Sequence, residues 1–206
     1  MFQVRFHGRG GQGVVTAAEL LAVAAFTEGR HAQAFPSFGS ERMGAPVMSF
    51  CRIADTAIRT REPVTDPDAL IIQDPTLLHQ ADIFGGFRGA GPPGRQSAGL
   101  RCDGYLLINS AKPVADLGLG EYVRAFRRER LLVVPATQLG LTHLGRPLPG
   151  AALLGGFAAL TAVVSLASVE AAIRDRFTGA VAEGNVAAAR AAFDFVTDER
   201  KALTDA

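Results

Sequence analysis

Residues 2–26 read FQVRFHGRGGQGVVTAAELLAVAAF and give the strongest indication of the fold class. Phe2, Val4 and Phe6 alternate with polar residues, which is the period-two pattern of a β-strand. A glycine-rich run at 8–13 then interrupts that pattern, and apolar residues recur at helical spacing from residue 12 to residue 26. The stretch therefore predicts a strand, a glycine loop and a helix, in that order.

The rest of the chain continues this alternation of strands and helices. Short apolar runs predict further strands at 31–35, 47–53, 69–73, 105–109 and 131–135. A helical turn is expected at 75–81, an exposed connection or helix at 118–130, and the C-terminal helices at 151–176 and 180–202. The pattern predicts an α/β protein with a Rossmann-like three-layer fold, in which helices cover a mostly parallel sheet.

Length and composition limit the possible classes of function. The 206 residues, 48% of them hydrophobic, predict a single domain over 1–206, with the Gly- and Pro-rich stretch 85–104 as an excursion loop within it. The 21 basic and 20 acidic residues nearly cancel, which argues against a general nucleic-acid binder or a protein of anionic membrane surfaces. The chain begins without a signal-peptide pattern, so we expect a cytoplasmic protein.

Cysteine and histidine usage argues against a metal centre. The cysteines are Cys51 and Cys102, which are far apart, and the four histidines do not cluster in the sequence. An iron–sulfur cluster usually needs four thiolates, and a structural zinc site needs four closely spaced Cys or His ligands. We interpret both cysteines as reduced thiols, so electron carriers, if the protein takes part in redox chemistry, are expected on other chains.

The glycine loop matches the dinucleotide fingerprint at Gly8, Gly10 and Gly13. Such a loop brings backbone N–H groups close to a phosphate at the positive end of the next helix, and Arg9 adds a charge. A nicotinamide site would also need Asp or Glu at the end of the second strand, where the chain reads Ala34-Phe35-Pro36. The sequence therefore favours a phosphate ligand over NAD, and a tight turn without any ligand is the alternative.

Three stretches of the sequence resemble a known family. The run GRGGQGVVTAA at 8–18 and the blocks AFPSFG at 34–39 and ERMGAPV at 41–47 resemble the gamma subunits, or fused gamma domains, of pyruvate and related 2-oxoacid:ferredoxin oxidoreductases. Weaker similarities follow at 73–77, 108–110 and 146–157, in the same order along the chain. Two positions depart from the family pattern, because many relatives carry a basic residue at Met43 and Asn at Gly150.

The resemblance implies the chemistry of a larger enzyme. Such an enzyme decarboxylates a 2-oxoacid on thiamine diphosphate, sends electrons through 4Fe–4S clusters to ferredoxin or another acceptor, and transfers the acyl group to coenzyme A. The thiamine diphosphate and the clusters lie on partner subunits of alpha, beta and delta type, whereas the gamma domain contributes part of the coenzyme A site. The contacts that the resemblance implies are Gly8, Arg9, Gly10, Gly11, Gln12, Gly13, Glu41, Arg42, Asn109 and Ser110. Of these, 41–42 and 109–110 either line the same site or contact the catalytic subunits.

The sequence offers no nucleophile with a matched base, so no catalytic residue is assigned and the chain is expected to bind and position rather than to catalyse alone. Two alternatives stay open. One is a freestanding Rossmann-type nucleotide-binding reductase or transferase, and the other is a purely structural subunit with a vestigial glycine loop. The identity of the 2-oxoacid also stays open, since substrate choice resides mainly on the thiamine-binding chains.

Overall fold

A single six-stranded sheet organises the chain. The computed structural model describes residues 1–37, 43–79, 83–84, 103–119 and 126–204. The strands are β1 (Phe2–Arg9), β2 (His31–Pro36), β3 (Pro46–Ala54), β4 (Ala69–Ile72), β5 (Tyr105–Asn109) and β6 (Leu131–Val134). Their spatial order is β2-β3-β1-β4-β5-β6.

The sheet is mostly parallel, as predicted. Strands β1, β4, β5 and β6 pair in parallel, and β3 is antiparallel to both of its neighbours, β1 and β2. Strand β3 is thus the one reversed strand of the six described. The α/β class with a Rossmann-like arrangement is confirmed.

Helices cover one face of the sheet. They are α1 (Val14–Thr27), α2 (Ala136–Leu144), α3 (Gly150–Thr161), α4 (Leu166–Arg176) and α5 (Gly179–Thr204). Side chains that point to this face, such as Phe6, Ile71 and Leu107, are buried together with residues of these helices in the larger hydrophobic core. None of the helices described is both long and apolar enough to cross a lipid bilayer.

The opposite face has a smaller core of its own. Leu70 and Ile72 of β4 and Leu106 and Ile108 of β5 are buried there against connecting segments that include Leu77. Short 3₁₀ helices at Pro75–His79, Val114–Leu117 and Arg128–Arg130 belong to these connections. In the described part of the chain the sheet is therefore the middle layer of three, with α-helices on one side and short helical connections on the other.

Where β1 and β3 meet, the same opposite face carries buried charged and polar groups. Arg5, His7 and Arg52 are each less than a tenth exposed, and an Arg5 Nη atom donates to the carbonyl of Ile83 at 2.7 Å. Desolvation, followed by the nearby Arg5 charge, lowers the pKa of His7 to about 3. His7 is therefore a neutral imidazole at physiological pH, which makes it a packed residue rather than a cation for phosphate.

Several predicted boundaries need correction. The predicted helix at 151–176 is two helices, because Ala162 takes a left-handed φ of 53° and Ser165 caps α4 by accepting from the Ser168 N–H at 3.1 Å. Helix α2 was not predicted, and α1 begins at Val14 rather than residue 12, because Gly13 has a φ of 73°. Strands β4 and β6 each end one residue before the predicted end.

The less regular segments are only partly described. The exposed connection or helix predicted at 118–130 includes a 3₁₀ helix at Arg128–Arg130, but Leu119 and Phe126 are buried rather than exposed, and 120–125 lie outside the described residues. The predicted helical turn at 75–81 is a 3₁₀ helix as far as residue 79, and 80–81 lie outside them. Of the expected excursion loop at 85–104, residues 85–102 also lie outside the described part of the chain.

Candidate functional site at the carboxyl edge of the sheet

The chain leaves neighbouring parallel strands toward opposite faces at the carboxyl edge of the sheet. After β1 it runs through the glycine loop into α1 on the helical face, whereas after β4 it turns to the other face, where Leu77 joins the smaller core. A crevice opens in an open α/β sheet where successive connections diverge in this way, and ligands bind in that crevice. The glycine loop therefore lies at the position where the topology favours a binding site.

The glycine loop needs its glycines for two separate reasons. Gly11 and Gly13 have φ values of 94° and 73°, in the left-handed region that side chains disfavour. A Cβ on Gly8 would instead meet Val14 Cγ2 at 2.6 Å and Gln73 Cβ at 3.1 Å. Among the described residues no side chain caps the N-terminus of α1, so its first amides stay available to a ligand.

Arg9 is held by the segment that follows β4. Its Nε donates to Asp74 Oδ2 at 3.1 Å, one Nη donates to the Gly44 carbonyl at 3.0 Å, and the other donates to Thr76 Oγ1 at 2.8 Å. Gln12 joins the same network, because its Nε2 donates to Asp74 Oδ2 at 3.0 Å and its Oε1 accepts from the Arg9 N–H at 2.8 Å. These contacts fix the guanidinium beside the loop, and two of the acceptors in the described part of the chain, the Gly44 carbonyl and the Thr76 hydroxyl, are uncharged.

Asp74 is the anion that organises this network. Burial by itself would raise the pKa of the Asp74 carboxyl, yet hydrogen bonds from Thr76 and Gln12 and the Arg9 charge together hold that pKa below its usual range. Asp74 therefore stays ionised near neutral pH, and Arg9 and Asp74 form a pair whose side chains are 24% and 13% exposed. Such a pair orients Arg9 but leaves little net positive charge at the loop.

Asn109 and Ser110 lie at the end of β5 on the same edge. Asn109 Nδ2 donates to the Gln73 carbonyl at 2.8 Å and to Thr137 Oγ1 at 2.7 Å, and Asn109 Oδ1 accepts from the Thr137 N–H at 3.0 Å. Ser110 Oγ accepts from the Lys112 N–H and donates to the Lys112 carbonyl, each at 2.9 Å. Both side chains are thus committed to local structure: Asn109 ties β4 to the start of α2, and Ser110 shapes the following turn.

A pocket of about 490 Å³ lies beside Asn109 and Ser110. Its lining comes from the 3₁₀ helix after β4, from 109–112 after β5, from Asp116 and Leu117, and from Thr137. Thr76 lines this pocket and also accepts from Arg9, so the glycine-loop network and the pocket share a wall. Lys112, which is exposed at the pocket, adds a cation to its rim.

The structure brings most of the predicted site residues to this edge. The loop residues at 8–13 and the pair at 109–110 lie on either side of Asp74 and Thr76, whereas Glu41 and Arg42 lie outside the described residues. Met43, which is 88% exposed, covers the loop, because a Cβ on Gly11 would be 2.6 Å from its sulfur.

Sequence reasoning missed several functional neighbours. The residues not predicted to belong to the site are Gln73, Asp74, Thr76 and Thr137. The weak family similarity at 73–77 was the signal that could have found the first three. Thr137 stands outside every block of similarity, and its contact with Asn109 depends on the fold.

The described part of the chain offers no set of metal ligands. Within it, no three His, Cys, Asp or Glu side chains come close enough to hold a metal ion. Cys51 is buried on β3, where desolvation raises the pKa of its thiol, and Cys102 lies outside the described residues.

Comparison with known proteins gives consistent results. A family model described as pyruvate ferredoxin/flavodoxin oxidoreductase matches residues 3–195. The common gamma subunit of pyruvate/ketoisovalerate oxidoreductases from Pyrococcus abyssi is 43% identical, over 94% of this chain and 96% of that protein. Pyruvate synthase subunit PorC from Methanocaldococcus jannaschii is also 43% identical, with the same coverage. The crystal structure of pyruvate oxidoreductase subunit PORC from Thermotoga maritima superimposes with a TM-score of 0.72 at 32% identity, covering 94% of this chain and 95% of that one.

Proposed function

This chain belongs to the pyruvate ferredoxin/flavodoxin oxidoreductase family as a gamma subunit, and on that premise we propose that its carboxyl-edge crevice forms part of the coenzyme A site of the assembled enzyme. The enzyme would oxidatively decarboxylate a 2-oxoacid to an acyl-coenzyme A in the cytoplasm and pass electrons to ferredoxin or another acceptor. Thiamine diphosphate and 4Fe–4S clusters would supply the carbanion and electron-transfer chemistry from partner subunits of alpha, beta and delta type.

The glycine loop at the topological switch point, beside the pocket, is the observation that carries this proposal. Uncapped amides at the start of α1 favour an anionic group, and Arg9 stands fixed beside them. The pocket of about 490 Å³ that shares Thr76 with this network offers room for the rest of an extended ligand. Coenzyme A, which combines three phosphates with a long neutral arm, matches an anion-binding loop next to a pocket.

Arg9 can engage a phosphate without losing Asp74. Within the described residues the two Nη groups donate to a backbone carbonyl and to a hydroxyl, and a phosphate oxygen would form stronger charge-assisted bonds than these neutral acceptors do. The Nε bond to Asp74 would meanwhile keep the side chain oriented. Asp74 therefore acts in this proposal as the residue that positions Arg9, and holding the carrier in place is this chain's contribution to acyl transfer.

The freestanding reductase is the weaker candidate because the described residues at the end of β2 include no carboxylate for a ribose. β2 ends at Pro36, and Glu28, whose linear spacing from the loop is about right, accepts instead from the Ser165 N–H and the Ser168 hydroxyl, each at 2.7 Å. Glu28 is thus committed to capping α4. Titrating the chain with NADH and NADPH should give no saturable change in nucleotide fluorescence, and a saturable change would revive this candidate.

Kinetics of the purified complex test the proposed function. Arg9→Met should raise the KM for coenzyme A about tenfold or more, since a hydrogen bond to a charged group contributes about 1.5–3 kcal/mol. The KM for the 2-oxoacid and the subunit composition should not change. Relatives are named for pyruvate and ketoisovalerate, so these are the first substrates to assay.

Arg59 supplies the matched control. It is exposed on the segment after β3, at the opposite edge of the sheet, because the end of β3 pairs with the start of β1. Arg59→Met removes the same charge and should leave the KM for coenzyme A unchanged. An unchanged KM in Arg9→Met, with the complex intact, would rule out a coenzyme A role for the loop and support the purely structural alternative.

A further inference from the structure

The side chain of Gln73 is a buried amide without a partner. Gln73 follows β4 and has no exposed surface, and among the described residues neither its Oε1 nor its Nε2 finds a hydrogen-bond partner. Buried polar side-chain atoms are hydrogen-bonded in the large majority of cases, because leaving one unpaired destabilises the folded state. Because Gln73 lies in the wall of a binding crevice, a bound ligand would supply the hydrogen-bond partner that its amide lacks.

The amide lies where two helices begin. Side-chain alternation along β4 directs Gln73 to the helical face, as it does Ala69 and Ile71. A Cβ on Gly150, the first residue of α3, would lie 3.9 Å from Gln73 Nε2 and 3.9 Å from the Gly13 carbonyl oxygen. Gly13, the N-cap of α1, is exposed, so the loop side of this junction lies at the surface, whereas Gln73 is covered. The junction of Gly13, Gln73 and Gly150 is called the α1–α3 notch below.

Hydrogen-bond donors meet at the notch, beside the Ala17 methyl group, which would lie 3.6 Å from a Cβ on Gly150. The first amides of α1 and α3 have no acceptors within their own helices, and in the described part of the chain no side chain caps either helix. Gln73 Nε2 is the amide atom on the Gly150 side, and it adds a further donor. Glycine at both 13 and 150 keeps side chains out of the space, so oxygens of an anion can approach the backbone closely.

We propose, on the basis of the function proposed above, that the α1–α3 notch binds the diphosphate of coenzyme A, with Gln73 donating to a phosphate oxygen. Each group of a diphosphate bridge carries one negative charge, which suits neutral donors and helix N-termini. The terminal 3′-phosphate carries a charge of about −1.5 to −2 and suits a guanidinium instead. Arg9 is therefore assigned to the 3′-phosphate and Gln73 to the diphosphate.

Kinetics with coenzyme A and with dephospho-coenzyme A distinguish the 3′-phosphate assignment of Arg9 from the diphosphate assignment of Gln73. Dephospho-coenzyme A lacks the 3′-phosphate but keeps the diphosphate, so the ratio of its KM to that of coenzyme A reports on the 3′-phosphate site alone. Gln73→Met, which is nearly isosteric, should raise both KM values about tenfold in the purified complex and leave the ratio at its wild-type value. Arg9→Met should raise the KM for coenzyme A and bring the ratio toward one.

Stability provides a second readout. Because Gln73→Met removes an unpartnered buried amide, the ligand-free complex should melt at or above the wild-type temperature, whereas the stabilisation by saturating coenzyme A should shrink. If the variant fails to fold, Gly150→Val serves instead, since its Cβ would make ordinary contacts of 3.6 Å or more and its methyl groups would fill the notch. Gly150→Val should raise both KM values, and Gly150→Ala is the control that adds only the Cβ.

Three outcomes would contradict these proposals, each in a different way. If Gln73→Met leaves both KM values unchanged and lowers the melting temperature, a buried water is the hydrogen-bond partner of the amide and the notch does not bind the diphosphate. The proposed function would still hold if Arg9→Met raised the KM for coenzyme A. If Gln73→Met lowers the ratio as Arg9→Met does, the diphosphate assignment is wrong. If neither variant changes the KM for coenzyme A, the proposed function itself fails.

Discussion

Replacing Gly155 in α3 with alanine should destabilise the protein through a single close contact between helices. A Cβ at this position would lie 1.9 Å from the Ala189 carbonyl oxygen of α5 and 2.6 Å from its carbonyl carbon. The first distance is about 1.5 Å shorter than the 3.4 Å at which ordinary contact begins. Since the obstacle is backbone, only a separation of α3 from α5 can relieve it, and these helices share the larger core.

The magnitude follows from two opposing effects. Overpacking a core costs about 1–3 kcal/mol and sometimes more, and a backbone obstacle belongs at the upper end of that range. Alanine in place of glycine within a helix recovers about 1 kcal/mol. The expected net loss is about 2 kcal/mol, which for a chain of this size lowers the melting temperature by about 4–8 °C.

Gly156 provides the matched control for a thermal-unfolding assay. A Cβ there would meet Val134 Cγ2 and Val196 Cγ2 at 3.3 Å, and these are side-chain atoms that can move by a few tenths of an ångström. Gly156→Ala should therefore melt within about 2 °C of the wild type. Equal melting temperatures for Gly155→Ala and Gly156→Ala would refute the close helix packing described for α3 and α5.

Three further predictions concern buried ionisable groups. Glu170→Gln should lower the free energy of unfolding by about 1–3 kcal/mol at pH 7, because Glu170 accepts hydrogen bonds from Arg190 and Arg174. These bonds, with the one from Arg190 as the largest cause, lower the pKa of Glu170. In denaturant titrations the higher stability of the wild type should therefore be present above about pH 4.5 and be lost as the pH falls through the folded-state pKa. Wild-type stability should fall by about 2 kcal/mol between pH 7 and pH 5 through His7, since only the unfolded chain takes up that proton, and His7→Gln should remove this part of the slope. Cys51 should resist iodoacetamide in the native protein and react only in denaturant, as measured by peptide mass spectrometry, and labelling of native Cys51 would contradict its burial.

Local periodicity was enough to predict the class of fold and the strand–loop–helix unit. It could not give the direction of β3, because the alternation within one strand is the same whichever way its neighbours run. Nor could it divide the predicted helix at 151–176, since the break at Ala162 has no glycine or proline to mark it. Glu28, which follows α1, accepts hydrogen bonds from Ser165 and Ser168 at the start of α4, more than a hundred residues further along the chain.

Helix α2 escaped prediction for a related reason. Gly140 stands in its middle, where a glycine usually argues against a helix. In the structure this glycine allows close approach, because a Cβ would lie 2.6 Å from the Leu148 carbonyl oxygen. The need for glycine at 140 arises from a tertiary contact that the local pattern does not contain.

The sequence predicted the glycine loop of the candidate site but not the residues that lie against the loop. Glycine spacing and family resemblance both indicated residues 8–13, and the structure confirms the strand–loop–helix setting. The anchoring of Arg9 by Asp74 depends on the parallel pairing of β1 with β4, which brings together residues 65 positions apart. The unpartnered state of Gln73 depends on burial under two helices, so it became visible only in the folded chain.

A cryo-electron microscopy map of the intact complex with bound coenzyme A would show whether this chain holds the coenzyme. We expect density for the coenzyme along the carboxyl edge of this chain's sheet, with its phosphates within hydrogen-bonding distance of the loop between β1 and α1. The contrary result is a loop covered by a partner subunit, with the coenzyme bound entirely by other chains.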